Sequence, residues 1–106
     1  MRIVGNSMAP TLLHDDLVVV IRRSRADVGR IVIVDSDAVG YVVKRVNTIS
    51  KKYLRLQGDN PRLSSSLCTS DILVTSLIGI VFFRLRNREF RMFGHSIVLR
   101  LGLHLV

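Results

Sequence analysis

Ile31-Val32-Ile33-Val34-Asp35-Ser36-Asp37 and, after Ala38-Val39, Gly40-Tyr41-Val42-Val43-Lys44-Arg45-Val46 decide the fold. Both runs are short, rich in β-branched residues and bounded by turn formers, which is the pattern of strands rather than helices. Working outward, Leu17–Ile21 and Tyr53–Gln57 have the same character, and Ile72–Val74 and Leu77–Arg84 extend the series. Asn47–Lys52 reads as a hairpin loop. Gly58-Asp59-Asn60-Pro61 reads as a turn that stops the sheet, because proline cannot donate to an interior ladder. From Asn87 onward, Leu99, Leu101, Leu103 and Leu105 alternate with polar residues or glycine, as in a half-buried strand, with a short helix over Phe90–Leu99 as the alternative. The expectation is one mainly β domain over residues 1–106, with few or no helices, core motifs in 2–84 and a C-terminal strand or tail in 87–106.

Composition narrows the function classes. With 48% hydrophobic residues among 106, the chain can bury a core. No apolar stretch reaches the roughly 18 residues of a spanning helix, and Asn6, Ser7, Pro10 and His14 interrupt the layout of a signal peptide. A single cysteine, Cys68, leaves no internal disulfide and no cysteine-rich metal site, and His95 and His104 are isolated. The formal charge of +8 suits an anionic partner, yet no Lys/Arg block exceeds two residues. Arg84, Arg86 and Arg88 alternate and could follow phosphates, although a solvated edge strand carries the same pattern.

Of three lysines, Lys51 and Lys52 share a turn, so Lys44 alone sits in an apolar context. Alternation puts Lys44 with Val42 and Val46 on the inner face and turns Arg45 outward. Desolvation there would disfavour the ammonium form and make an amine a base. The plainer reading is an amine that snorkels to water. Ser7, in Val4-Gly5-Asn6-Ser7-Met8-Ala9-Pro10-Thr11-Leu12, is a turn cap by the plain reading. The chemical reading is a nucleophile that needs a base beside it. Gly5 would then allow close backbone approach, and the amides of Asn6 and Ser7 would face an oxyanion.

Together these segments resemble the Ser/Lys peptidases, the superfamily of type I signal peptidases and LexA-type self-cleaving repressors. The Ser-Met-x-Pro-Thr-Leu pattern is present from Ser7 to Leu12, and Val43-Lys44-Arg45-Val46 is similar to the general-base motif. Val28-Gly29 before Ile31–Val34 is similar to the intervening strand, and Gly58-Asp59-Asn60 with Ser64 resembles the element after the base. Two departures stand out: Asp15 replaces the glycine of a Gly-Asp pair, and Ser64-Ser65-Ser66-Leu67-Cys68 lacks the expected aspartate and arginine. The implied fold is a LexA/signal-peptidase-like β-ribbon or partly open barrel.

The resemblance implies Ser7 as nucleophile and Lys44 as base. It also implies Asn6, Gly5 and Ser64 as oxyanion or supporting residues, Met8 and Pro10 at the substrate, and neither metal nor cofactor. His14, which could stand in for the base in some relatives, reads as a surface residue because Lys44 fills that place. The expected partner is a peptide or protein with small residues beside the scissile bond, lying against a sheet edge. Homodimerisation and peripheral membrane contact are compatible with the reading, nucleic acid less so. The expected location is cytoplasmic or peripheral to a membrane. With six residues ahead of Ser7, the expected substrate is another chain. The alternatives are a non-enzymatic dimerisation module of the LexA/UmuD type and a basic nucleic-acid-binding domain.

Overall fold

Strand β2 (Ile31–Ser36) has two dry faces, and the molecule is built around it. Ile31 and Ile33 enter one apolar cluster with Ile3, Met8, Leu12, Val18 and Val81. Val32 and Val34 enter a second with Val46, Leu54, Leu56, Leu77 and Ile80. An unbroken apolar run is what a strand covered on both faces requires. The computed structural model describes residues 1–37, 39–63, 71–93 and the backbone of 97–100. Ser64, Cys68, His95, His104 and the leucine repeat after Arg100 lie outside them.

The remaining strands are β1 (Leu17–Arg22), β3 (Gly40–Ile49), β4 (Tyr53–Gln57), β5 (Asp71–Leu73), β6 (Leu77–Arg86), β7 (Glu89–Met92) and β8 (Ile97–Arg100). A 3-10 turn, Val74–Ser76, precedes β6, and no α-helix occurs among the described residues. The sheet runs β5-β4-β3-β2-β6-β7-β8, with β1 also on β6, and every pairing is antiparallel. The ten residues of β6 meet β2 along Leu77–Ile80, β7 along Phe83–Arg86 and β1 along Gly79–Leu85. At the crossing with β1, a Cβ on Gly79 would lie 2.6 Å from the Ile21 carbonyl oxygen, so only glycine fits.

The expected mainly β fold is the one observed, and two local readings change. Strand β3 runs on to Ile49, because Thr48 and Ile49 pair with Arg55 and Leu54 past a bulge; the turn shrinks to Ser50–Lys52. Phe90–Met92 is strand, not helix. Asn87 and Arg88 both adopt positive φ, 47° and 68°, which is the two-residue turn that joins twisted hairpin strands.

The segment before β1 is a closed loop. The amide of Ile3 donates to the Asp16 carbonyl and that of Asp15 to the Ile3 carbonyl, each at 2.8 Å. Residues 4–14 are therefore held at their base, with Met8 and Leu12 sunk into the first cluster as anchors. Asp15, at φ 73°, keeps the left-handed backbone for which glycine is the usual choice.

Candidate active site

Ser7 is half-buried on this loop, and its backbone rests on the turn after β4. The Asn60 amide donates to the Ser7 carbonyl at 3.0 Å, and the Asn60 side-chain amide donates to the Asn6 carbonyl at 3.0 Å. Gly58 lies between Ser7 and Lys44. A Cβ at position 58 would stand 2.7 Å from the Ser7 carbonyl oxygen and 3.5 Å from Lys44 Nζ. The absence of a side chain there is what lets the serine loop and the lysine amine approach one point.

Lys44 is 4% exposed and lies opposite Val32 on the face of the second cluster. Among the described residues, Thr11, Arg45 and Asn60 make hydrogen bonds around the pair, and none joins the Ser7 hydroxyl to the Lys44 amine. Resting sites are often looser than substrate-bound ones.

Asp59 is the junction beneath the site. It accepts from Arg45 Nε and Nη2 at 2.8 and 2.7 Å and from the Thr11 hydroxyl at 2.6 Å. Arg45 also donates to the Gly29 carbonyl at 2.7 Å. The arginine expected to turn outward is instead a strut: it links the strand that carries Lys44, the loop that carries Ser7 and the turn at Gly29. On the other flank, Arg86 forks onto Asp16 at 2.7 and 2.6 Å, and Arg84 donates to the Thr11 carbonyl at 2.9 Å and to Glu89. Arg84 is 3% exposed. Both guanidiniums are engaged by internal acceptors, which leaves Arg88, exposed and without an ion pair among the described residues, as the member of the alternating series open to a phosphate.

Burial alone would raise both carboxylates. Hydrogen bonds from Arg45 and Thr11, with the Arg45 charge, instead hold Asp59 below the usual carboxylate range. Arg86 and the Leu13 amide, with the charges of Arg86 and Arg84, do the same for Asp16. A pKa depressed by folding stabilises the native state above the unfolded value of about 4 and ceases to do so as pH falls through the folded value. The thermal midpoint is therefore expected to drop below about pH 4, and Asp59→Asn is expected to flatten that acid limb. The same substitution, measured at neutral pH, is expected to cost about 2–4 kcal/mol because Arg45 loses its partner.

The supporting residues fall into place unequally. Gly5 adopts φ 88° and donates its amide to His14 Nδ1 at 3.0 Å, so it shapes the loop and its amide is already engaged. His14 is a surface residue that props this turn. Among the described residues the amides of Asn6 and Ser7 donate to no backbone acceptor. Met8 borders the cleft at Ser7 but is 2% exposed and works mainly as a core anchor. Pro10 is exposed and is not part of the cleft wall. Ser64 lies outside the described residues. Thr11, Asp59 and Arg45 were not singled out as site residues by sequence reasoning, although each lies within a quoted motif.

The cleft measures ≈ 250 Å³ and runs between residues 1–5 and Tyr41–Val43, with Ser7 and Met8 at its inner end. Along this wall β3 pairs with β2 on one edge, whereas β4 joins the other edge only from Arg45 onward. Among the described residues, Gly40–Lys44 therefore offers an unpaired strand edge beside Ser7. A family model described as Peptidase S24-like matches residues 1–82. The chain belongs to the Peptidase S24-like family. No curated protein and no solved structure matches it. The S24-like match takes in the Ser7 loop, β1 to β5 and most of β6, and ends before the β7–β8 hairpin. Membership places the chain among peptidases and their LexA- and UmuD-like relatives, which act on protein substrates and often dimerise. Among the described residues, no helix is long and apolar enough to cross a membrane.

Proposed function

We propose that this chain is a serine endopeptidase of the processing type, similar to signal peptidases, that cleaves an extended segment of another chain through Ser7 and Lys44. The observation that carries the reading is the burial of the Lys44 amine against Gly58, the glycine on which the Ser7 backbone also rests. The substrate adds as a strand along Gly40–Val43, its backbone completing the unpaired edge and its carbonyl reaching Ser7. The Lys44 amine takes the hydroxyl proton as Ser7 Oγ attacks, and the amides near Asn6 and Ser7 hold the oxyanion. Collapse breaks the C–N bond, Lys44 returns the proton to the leaving amine, and a water activated by the same amine hydrolyses the acyl-serine.

The test is a digest of a mixed peptide library read by mass spectrometry. Cleavage beside small residues by the purified chain, with none by Ser7→Ala, is the expected result. Equal cleavage by both proteins overturns it.

A second reading, a dimerisation module without catalysis, is favoured by one observation. Leu17 and Leu85 face each other across β1 and β6 at 49% and 39% exposure, an apolar patch on the sheet. That reading requires Ser7→Ala to be silent in every functional assay.

A further inference from the structure

Six cations lie in two segments that border a second cleft, at the end of the molecule where β3 turns into β4. Arg22, Arg23, Arg25 and Arg30 belong to the end of β1 and the loop after it, and Lys51 and Lys52 to the β3–β4 turn. Among the described residues none of the six is in an ion pair, whereas Arg45, Arg55, Arg84 and Arg86 all are. Between the loop and the turn lies a cleft of ≈ 400 Å³. Arg25 and Lys51 stand on its rim with one carboxylate, Asp27, and Leu54, Val74 and Leu77 form its floor.

The walls are fixed by backbone hydrogen bonds. Gly29 donates to the Val46 carbonyl at 2.8 Å, Val46 to the Arg30 carbonyl at 2.9 Å, and Val74 to the Lys52 carbonyl at 2.8 Å. Arg23 and Arg30 lie over Phe82, 5.9 and 5.1 Å from its ring centre, which holds both guanidiniums at this end. The cleft thus exists before any ligand arrives, and little ordering remains to be done on binding.

We infer that this cleft docks an acidic peptide segment carrying an apolar side chain, at a site separate from the Ser7 cleft. Six steps along β3 separate Val43, which borders the Ser7 cleft, from Ile49, which borders this one; that is roughly 20 Å. An apolar side chain has a floor to bury against, and the acidic residues beside it meet cations that no internal carboxylate satisfies. A nucleic-acid strand makes poorer use of the site, since Phe82 is already covered by guanidiniums and cannot stack a base. A membrane surface cannot reach Leu54 and Leu77, which are 2% and 9% exposed at the bottom of a concavity.

The test is fluorescence anisotropy with a labelled heptapeptide that has one leucine between two pairs of acidic residues. Arg25→Glu/Lys51→Glu is expected to weaken binding on the order of tenfold. Arg88→Glu/Arg91→Glu, with the same change of net charge, is expected to weaken it by no more than about twofold. A serine in place of the leucine should weaken it several-fold, and Ser7→Ala should leave it unchanged, so that failure here is separable from failure of the catalytic reading. Equal losses in the two charge-reversed proteins, or no effect of removing the leucine, overturn the proposal. Tighter binding of a single-stranded oligonucleotide or of phosphatidylserine vesicles through the same residues overturns it as well.

Discussion

Lys44→Met is expected to abolish peptide cleavage and to leave the protein as stable as before, or more so. The two effects have one cause. Lys44 is 4% exposed opposite Val32 and between the buried and half-buried side chains of Val46 and Val42. Methionine has nearly the same length and carries no charge, so it removes the desolvation penalty of a buried amine and keeps the packing. It also removes the proposed base at Ser7, and loss of general base catalysis costs about 10²–10⁴ in rate. Lys44→Arg should fail too, because a guanidinium keeps its proton at any working pH. Peptide cleavage and thermal unfolding, measured on the same preparations, check both halves. A lysine that merely snorkelled to solvent would give Lys44→Met undiminished cleavage.

Gly58→Ala is expected to be the second most damaging change, although residue 58 performs no chemistry. Its new Cβ would stand 2.7 Å from the Ser7 carbonyl oxygen, closer than real side chains approach backbone, so one of the two segments must move. The loop under strain carries Ser7, the proposed nucleophile, and a displacement near 1 Å in such a group can cost about 10²-fold in rate. Stability is expected to fall by about 1–3 kcal/mol, as in an overpacked site. The informative comparison is the ratio of the two losses. Cleavage should fall far more than the folded fraction at the assay temperature. Loss of activity only in proportion to unfolding would reduce Gly58 to an ordinary packing residue.

How much of this was legible beforehand follows from how local each signal is. Ile31–Val34 announced a strand through composition alone, and Tyr53–Gln57 coincided with β4 because a proline-containing turn bounds it. The extension of β3 was hidden, since Asn47 and Thr48 look like loop residues and their strand state depends on pairing with β4 across a bulge. The β6–β7 hairpin was hidden for a similar reason: Asn87-Arg88 makes a turn that usually needs glycine, so no turn signal was present.

At the site, the motifs gave Ser7 and Lys44, and the structure shows how they are held. Asp59 joins Arg45 and Thr11, and Arg86 reaches Asp16 across seventy residues of sequence. No periodicity encodes such contacts. Arginines that alternate on a strand suggested phosphate binding, and only their carboxylate partners show that Arg84 and Arg86 are internally engaged. Among the described residues, the cations without ion-pair partners include those at the end of β1 and in the loop after it, beside the second cleft.

As the proposed nucleophile, Ser7 forms an acyl bond with its substrate, and that bond can be trapped. The chain is mixed with a peptide ester that has a small residue at the acyl position, quenched in acid within the first turnovers, and mapped by mass spectrometry. One acyl group is expected, on Ser7, and none in Lys44→Met. Hydrolysis of the ester with no acyl group on Ser7, at a rate unchanged in Ser7→Ala, would contradict it.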